Sequence, residues 1–297
     1  MGMASIITLD TIPAFERFWE EARSEAIDRK IDSWRLDYLR PWPELYQKQV
    51  ADYRRQGVDW RAIARRRIFP RLSERLALMR RVRTSIRHAI PIAVNRGRNA
   101  LGLDFPVTFV IHVGIGCGAG WATTFGGTPA ILFGLENATE REWNDTDSAL
   151  VMVGHELGHL VHSRWREQAR LGTLADHRGP WWQLFTEGFA THCELLIGGR
   201  LGDRSSNRAK DWLQWCVRNR ANLAHRFLKT VTSRRPARRF FGSWYNIDGY
   251  VETGYFLGCE VVHDWRSRFS LREIACWAPN DVRRRARASL QRMATDR

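Results

Sequence analysis

The residues with the clearest capacity for chemistry are His155-Glu156-Leu157-Gly158-His159. On a helix, side chains four apart stand one turn above each other on a common face. Two imidazoles so placed can close on a single Zn²⁺ at roughly 2.0–2.1 Å. Glu156, projecting beside them, can take a proton from a water held by the same ion. Five such residues also fit an amphipathic helix whose histidines merely edge a core, so the flanks have to decide. Asp145-Thr146-Asp147 offers side-chain oxygens that cap the exposed N–H groups of a helix start. The helix expected from Ser148 to about Trp165 is strongly apolar before His155, as a rigid support for ligands should be.

A catalytic zinc site usually takes three protein ligands and leaves a fourth position for water. Glu187, with 27 residues between it and His159, lies in Glu187-Gly188-Phe189-Ala190-Thr191-His192 on a second apolar helix that starts near Trp181. Gly188 would let that helix approach the His155/His159 helix closely. Asp176 is the rival ligand, because Gly172-Thr173-x-x-Asp176 looks like the stretch that supplies an aspartate in aspzincin peptidases. The metzincin pattern fails, since His162 stands where its glycine should be. His162, His177 and His192 then read as neighbours of the ligands or as surface residues.

His155-Glu156-x-x-His159 followed by Glu187-Gly188-x-Ala190 resembles the gluzincin (thermolysin-like) clan of zinc metallopeptidases. More narrowly, the chain resembles bacterial proteins classed as zinc-dependent proteases that share a helical N-terminal half and a late Gly-Tyr-x-x-Gly helix. That helix here is Gly254-Tyr255-Phe256-Leu257-Gly258, and the specific motifs lie between about Phe105 and Val262. The resemblance implies Zn²⁺ on His155, His159 and Glu187, with Glu156 as the general base of peptide-bond hydrolysis. Tyr255 is the first choice as donor to the tetrahedral oxyanion, with His263 behind it; a core aromatic is the competing reading of Tyr255. A small sheet beside the two ligand helices, holding an extended peptide along its edge strand, is implied as well. Two departures stand out. Where thermolysin-like enzymes carry an acidic residue four after the glutamate ligand to orient a zinc histidine, this chain has Thr191, so another residue must serve. Gly134-Leu135-Glu136-Asn137 faintly resembles the strand by which some aminopeptidases of the clan bind a substrate amino terminus, though a surface carboxylate at a turn is the simpler reading of Glu136.

These motifs need a scaffold, and 297 residues with 44% hydrophobic content and 14 tryptophans are enough to build one. The expected fold is α+β and mainly helical. A zincin-like core over 102–200 would be flanked by a helical region over 1–101 and another over 201–297. Helices are expected from Phe15 to Leu39, on to about Arg55, from Asp59 to Ile68, and from Arg71 to about Ile90. Strands follow at Phe105–Val113, Trp121–Phe125 and Pro129–Leu135. The glycine-rich Gly114–Gly120 lacks the Gly-Lys-Ser/Thr ending of a phosphate loop and reads as a turn between strands. Beyond Gly199, helices are expected over Asp211–Phe227, Tyr250–Trp265, Leu271–Trp277 and Asp281–Met293, with a basic loop at Thr230–Phe241.

Composition narrows the setting. No run of about 18 apolar residues is present to span a bilayer, and the N-terminus lacks a basic segment followed by an apolar stretch, so a cytoplasmic protein is expected. Five scattered cysteines with no Cys-x-x-Cys pair argue against a disulfide framework or a thiolate zinc site. The net charge of +15 is carried almost wholly by arginine, clustered at 65–67, 80–83, 234–239 and 283–287. It reads first as a solvated surface and second as attraction to an acidic partner. Beside the peptidase with its peptide substrate, two alternatives therefore stand: an arginine-rich nucleic-acid-associated protein with a degenerate or regulatory zinc domain, and a structural zinc protein closed by a fourth ligand.

Overall fold

In the computed structural model, residues 5–55, 57–141, 143–201, 211–242 and 245–295 are described; the Met1–Ala4 stretch read for leader signals lies outside them. The fold is α+β and mainly helical with a small mixed sheet, as expected. The chain divides into two compact units, Met1–Val153 and Gly154–Arg297, and the division falls inside a helix.

The first unit begins with a strand that the helical reading of the N-terminus missed, β1 (Ile6–Asp10). Then come α1 (Ile12–Ala22) and α2 (Ile27–Ser33), which widens into a π-turn over 34–38. The expected single helix from Phe15 to Leu39 is thus broken over 23–26. Next are α3 (Pro43–Arg55), α4 (Trp60–Ile63) and the long α5 (Leu72–Leu101). α5 runs through Pro91, eleven residues past the expected end. The proline removes one backbone bond, but Ala89, Ile90, Ala93 and Val94 bury one continuous face across it.

β2 (Val107–His112), β3 (Gly120–Phe125) and β4 (Thr128–Gly134) match the three expected strands to within two residues. The sheet order is β1-β2-β4-β3, with β1 and β4 parallel to β2 and β3 antiparallel to β4. Every residue of β2 is buried, which is why it reads as a nearly continuous apolar run. Gly126 and Gly127 join β3 to β4 with φ of +58° and +73°, the two positive values a tight hairpin turn needs. After the single turn α6 (Leu135–Ala138), α7 (Thr146–Gln168) carries the chain into the second unit. Its start is capped as expected: Asp145 Oδ1 accepts from Ser148 N at 2.8 Å.

The glycine-rich loop after β2 is latched from several sides. Glu136 accepts from Gly114 N through Oε2 at 2.7 Å and from Gly116 N through Oε1 at 2.9 Å. Gln49 Oε1 accepts from Ile115 N at 3.1 Å, and Tyr53 donates to Ile115 O at 2.6 Å. With those amides engaged beside a carboxylate, the loop is a braced turn and not a phosphate cradle. Glu136 is 1% exposed, so it is neither a surface carboxylate nor an open anchor for a substrate amine. Burial pushes its carboxyl up, partly opposed by the Gly114 and Gly116 amides.

The second unit holds the rest of α7, then α8 (Pro180–Gly198), α9 (Trp212–Arg218), α10 (Arg220–Thr232) and α11 (Arg238–Phe241). A two-residue ladder, β5 (Asn246–Ile247) with β6 (Tyr250–Val251), precedes α12 (Thr253–Arg266), α13 (Leu271–Ala275) and α14 (Pro279–Thr295). The expected helix from Asp211 to Phe227 is two helices that meet at Asn219, and the expected basic loop is largely helical at both ends. Among the described residues, no helix is long and apolar enough to cross a membrane.

Candidate metal centre

The second unit is built on close helix approaches at small residues. A Cβ on Gly158 of α7 would come within 2.8 Å of Cys193 Cβ and 2.9 Å of Ala190 Cα on α8. A Cβ on Gly154, one turn earlier, would stand 3.1 Å from Ile197. The α7–α8 approach therefore depends on Gly154 and Gly158. Gly188, expected to serve that approach, instead abuts the backbone of Gly258 on α12, where no Cβ would fit.

This packing brings three side chains to one point. His155, His159 and Glu187 each offer a ligand atom within 4.8 Å of the others, the one such group among the described residues that could hold a metal. Glu187 Oε2 lies 3.4 Å from His155 Nε2 and 3.5 Å from His159 Nε2. Donors at roughly 2.0–2.1 Å from a tetrahedral ion stand about 3.3–3.4 Å apart, so the three atoms fit a zinc-sized centre. His155 is buried, while His159 and Glu187 are partly open to solvent. Burial alone would raise the Glu187 carboxyl, but the imidazoles of His159 and His155 outweigh it and hold the group well below the usual carboxylate range.

Glu194 is the residue that sequence reasoning missed. It is 1% exposed on α8, and its Oε2 lies 3.2 Å from His155 Nδ1. Such a contact makes Nδ1–H the donor and leaves Nε2 as the electron-pair donor facing Glu187. Glu194 follows Glu187 by seven residues, two turns along the same face, so the helical period was the available signal. Thr191, at the position where an acidic residue was looked for, donates its hydroxyl to the Glu187 carbonyl at 2.8 Å.

The other candidates fall into place one by one. Asp176 is exposed and accepts from Thr173 N at 2.6 Å in a capping box; it is not part of the cluster. Glu156, next to His155, is half-buried on α7. The Tyr255 ring lies 5.8 Å from that of His155 and 5.9 Å from that of Phe241, half-buried. His263 is exposed in the last turn of α12 with its ring 6.1 Å from that of His192. Eight residues separate it from Tyr255, about 12 Å along the helix axis. His162, one turn after His159, is not a surface residue. It is fully buried against Phe189 at 4.2 Å and Phe185 at 4.9 Å, with no hydrogen-bond partner on either ring nitrogen. Burial, then the charges of His159 and Arg166, keeps it neutral.

No family model, curated protein or solved structure matches the chain.

Proposed function

We propose that the chain is a zinc-dependent peptidase whose metal is held by His155, His159 and Glu187. The observation that supports this most directly is the convergence of two Nε2 atoms and one carboxylate oxygen at 3.4–3.5 Å. Two imidazoles and a carboxylate are a donor set suited to zinc, and three ligands leave room for a water or substrate oxygen. When bound, Zn²⁺ polarises a scissile carbonyl and brings the pKa of a ligated water down towards ~7.

The chain's own residues then have distinct tasks. Glu156 accepts a proton from the attacking water and delivers it to the amine nitrogen as the peptide C–N bond breaks. Tyr255 donates to the carbonyl oxygen as it gains negative charge, a role supported by its ring standing 5.8 Å from the His155 ring. Glu194 keeps His155 in one tautomer and one orientation. No described contact favours His263 as a second donor, and it has no place in this scheme. Asp176, as a fourth ligand closing a structural site, is likewise engaged elsewhere, in its own cap.

The decisive comparison is between the parent chain and Glu156→Gln on a library of unstructured peptides, with metal content measured in parallel. The expected result is about one zinc per chain in both proteins and nearly complete loss of turnover in the variant. Equal cleavage by the two proteins would exclude Glu156 as the base.

A further inference from the structure

Part of the arginine excess is held in ion pairs, and part of it lines an open cleft. In the first unit, Arg61, Arg65, Arg75, Arg80, Arg83 and Arg87 each pair with an Asp or Glu. Those charges are spent on the protein's own surface, where each pair is worth little. In the second unit Arg164, Arg218, Arg220, Arg226, Arg284 and Arg292 pair in the same way, and another set of arginines gathers apart from them. A cleft of about 1080 Å³ is lined by Arg178, Arg234, Arg235, Arg238 and Arg283, and His159 forms part of the same wall.

These five arginines come from three separate stretches of sequence: the loop before α8, the segment from the end of α10 through α11, and α14. All five are exposed, and no Asp or Glu is among the residues that line the cleft. Among the described residues none of the five has a carboxylate partner; Arg238 donates to the Tyr245 hydroxyl at 3.2 Å. Like charges gathered in a concave wall without counter-charge raise the local positive potential and the local concentration of anions. Guanidinium groups also match a carboxylate with two parallel N–H donors, which a lysine cannot.

Arg234 adds a second sign of specialisation. Its φ is +54°, in the left-handed region where a helix normally ends on glycine. The end of α10 is closed by Arg235 N donating to Thr230 O at 3.0 Å, the bond typical of that glycine motif. A side chain is kept there at a backbone cost of order 1 kcal/mol relative to glycine. The side chain it keeps faces the cleft.

We infer that this cleft is the substrate-recognition site for acidic peptides, its arginines binding Asp or Glu side chains on one flank of the bond presented at the His155–His159–Glu187 centre. The placing of the scissile bond rests on the peptidase reading; the binding of an acidic peptide does not. An acidic peptide is favoured over a polynucleotide because His159, of a cluster suited to amide hydrolysis, is part of the cleft wall and the five arginines are gathered at that one cleft.

The test uses the full chain carrying Glu156→Gln and fluorescent peptides that differ only in a Glu-Glu pair against Gln-Gln. Anisotropy titration should give about two- to fivefold tighter binding of the acidic peptide per well-placed carboxylate, weakening as salt is raised. With Arg235→Gln and Arg283→Gln combined, the acidic-to-amide ratio should fall towards one; both side chains are exposed, so the fold does not hang on them. Equal affinity for the two peptides, an undiminished ratio in the arginine variant, or displacement of the acidic peptide by a single-stranded oligonucleotide at lower concentration would each overturn the inference. The two readings fail separately. Binding preference with no cleavage by the parent chain would sink the peptidase and keep the cleft, whereas cleavage of both peptides at one rate would do the reverse.

Discussion

Replacing Glu194 offers the sharpest test of how the ligand cluster is held. Its carboxylate is 1% exposed and meets His155 Nδ1 at 3.2 Å. Glu194→Gln keeps the volume and leaves a carbonyl oxygen able to accept from Nδ1–H, so it removes mainly the negative charge. Loss of such a carboxylate–histidine contact weakens metal affinity by about 10- to 100-fold, roughly 1.4–2.7 kcal/mol. Glu194→Ala should do worse, since it also leaves a buried N–H without an acceptor, a further cost of about 1–3 kcal/mol. Thr191→Val is the matched control. Thr191 donates its hydroxyl to the Glu187 carbonyl, a bond within one helix, and its loss should leave metal affinity within a few-fold of the parent. Apparent zinc affinity measured by competition with a chromophoric chelator would rank the three. If both Glu194 variants hold zinc as tightly as the parent, His155 is oriented by something other than Glu194.

Three further outcomes follow from the same geometry. Tyr255→Phe should lower kcat by about 10²-fold with KM little changed, because a donor to the oxyanion acts on the transition state; steady-state kinetics on one cleaved peptide decides it, and an unchanged kcat returns Tyr255 to the core-aromatic reading. Gly188→Ala should destabilise the chain by about 1–3 kcal/mol, as an overpacked contact against the Gly258 backbone does, seen as a lower urea midpoint at constant slope. Acid should destabilise the fold through His112, which is 4% exposed and lowered from 6.5 to about 4 by burial. Since the folded pKa is depressed, stability is full above the unfolded value and is lost as pH falls from 6.5 to about 4. At 1.36 kcal/mol per pH unit the loss approaches about 3 kcal/mol. Unfolding free energies at pH 7 and pH 4.5 should therefore converge in His112→Phe relative to the parent.

The parts of the molecule legible in the sequence were those governed by local rules. The Asp145 cap and the burial of α7 follow from residue type and spacing, and each is found where those rules put it. The helix of His155 and His159 was legible because its two histidines stand one turn apart behind an apolar run. What was not legible depended on distant partners. β1 is short and half-exposed, and pairing with β2 makes it a strand. α5 passes Pro91 because burial on both sides outweighs one lost hydrogen bond. Glu136 looked like a turn residue, yet amides 20 and 22 residues upstream draw its carboxylate inside. Glu194 could have been found by extending the helical period two turns beyond Glu187, but nothing in the sequence alone says that His155 Nδ1 faces it. The grouping of arginines 178, 234, 235, 238 and 283 around one cleft is a product of tertiary folding and has no local signature.

The glycines tie Glu187, Tyr255 and the helical scaffold together. Gly in a helix interior costs about 0.5–1 kcal/mol relative to Ala, and Gly154, Gly158, Gly188 and Gly258 all sit inside helices. Four such positions are retained where helix backbones nearly touch, which puts the expense at the contacts that set ligand distances. Gly158 lets α8 approach α7, and so sets how far Glu187 stands from His155 and His159. Gly188, adjacent to Glu187, meets Gly258, and Tyr255 lies one turn before Gly258 on the same helix. The crossing of α8 and α12 therefore fixes Glu187 and Tyr255 together. A shift at that crossing would move Glu187 and Tyr255 in concert, so Gly258→Ala should lower zinc affinity and kcat together, whereas Tyr255→Phe should lower kcat alone.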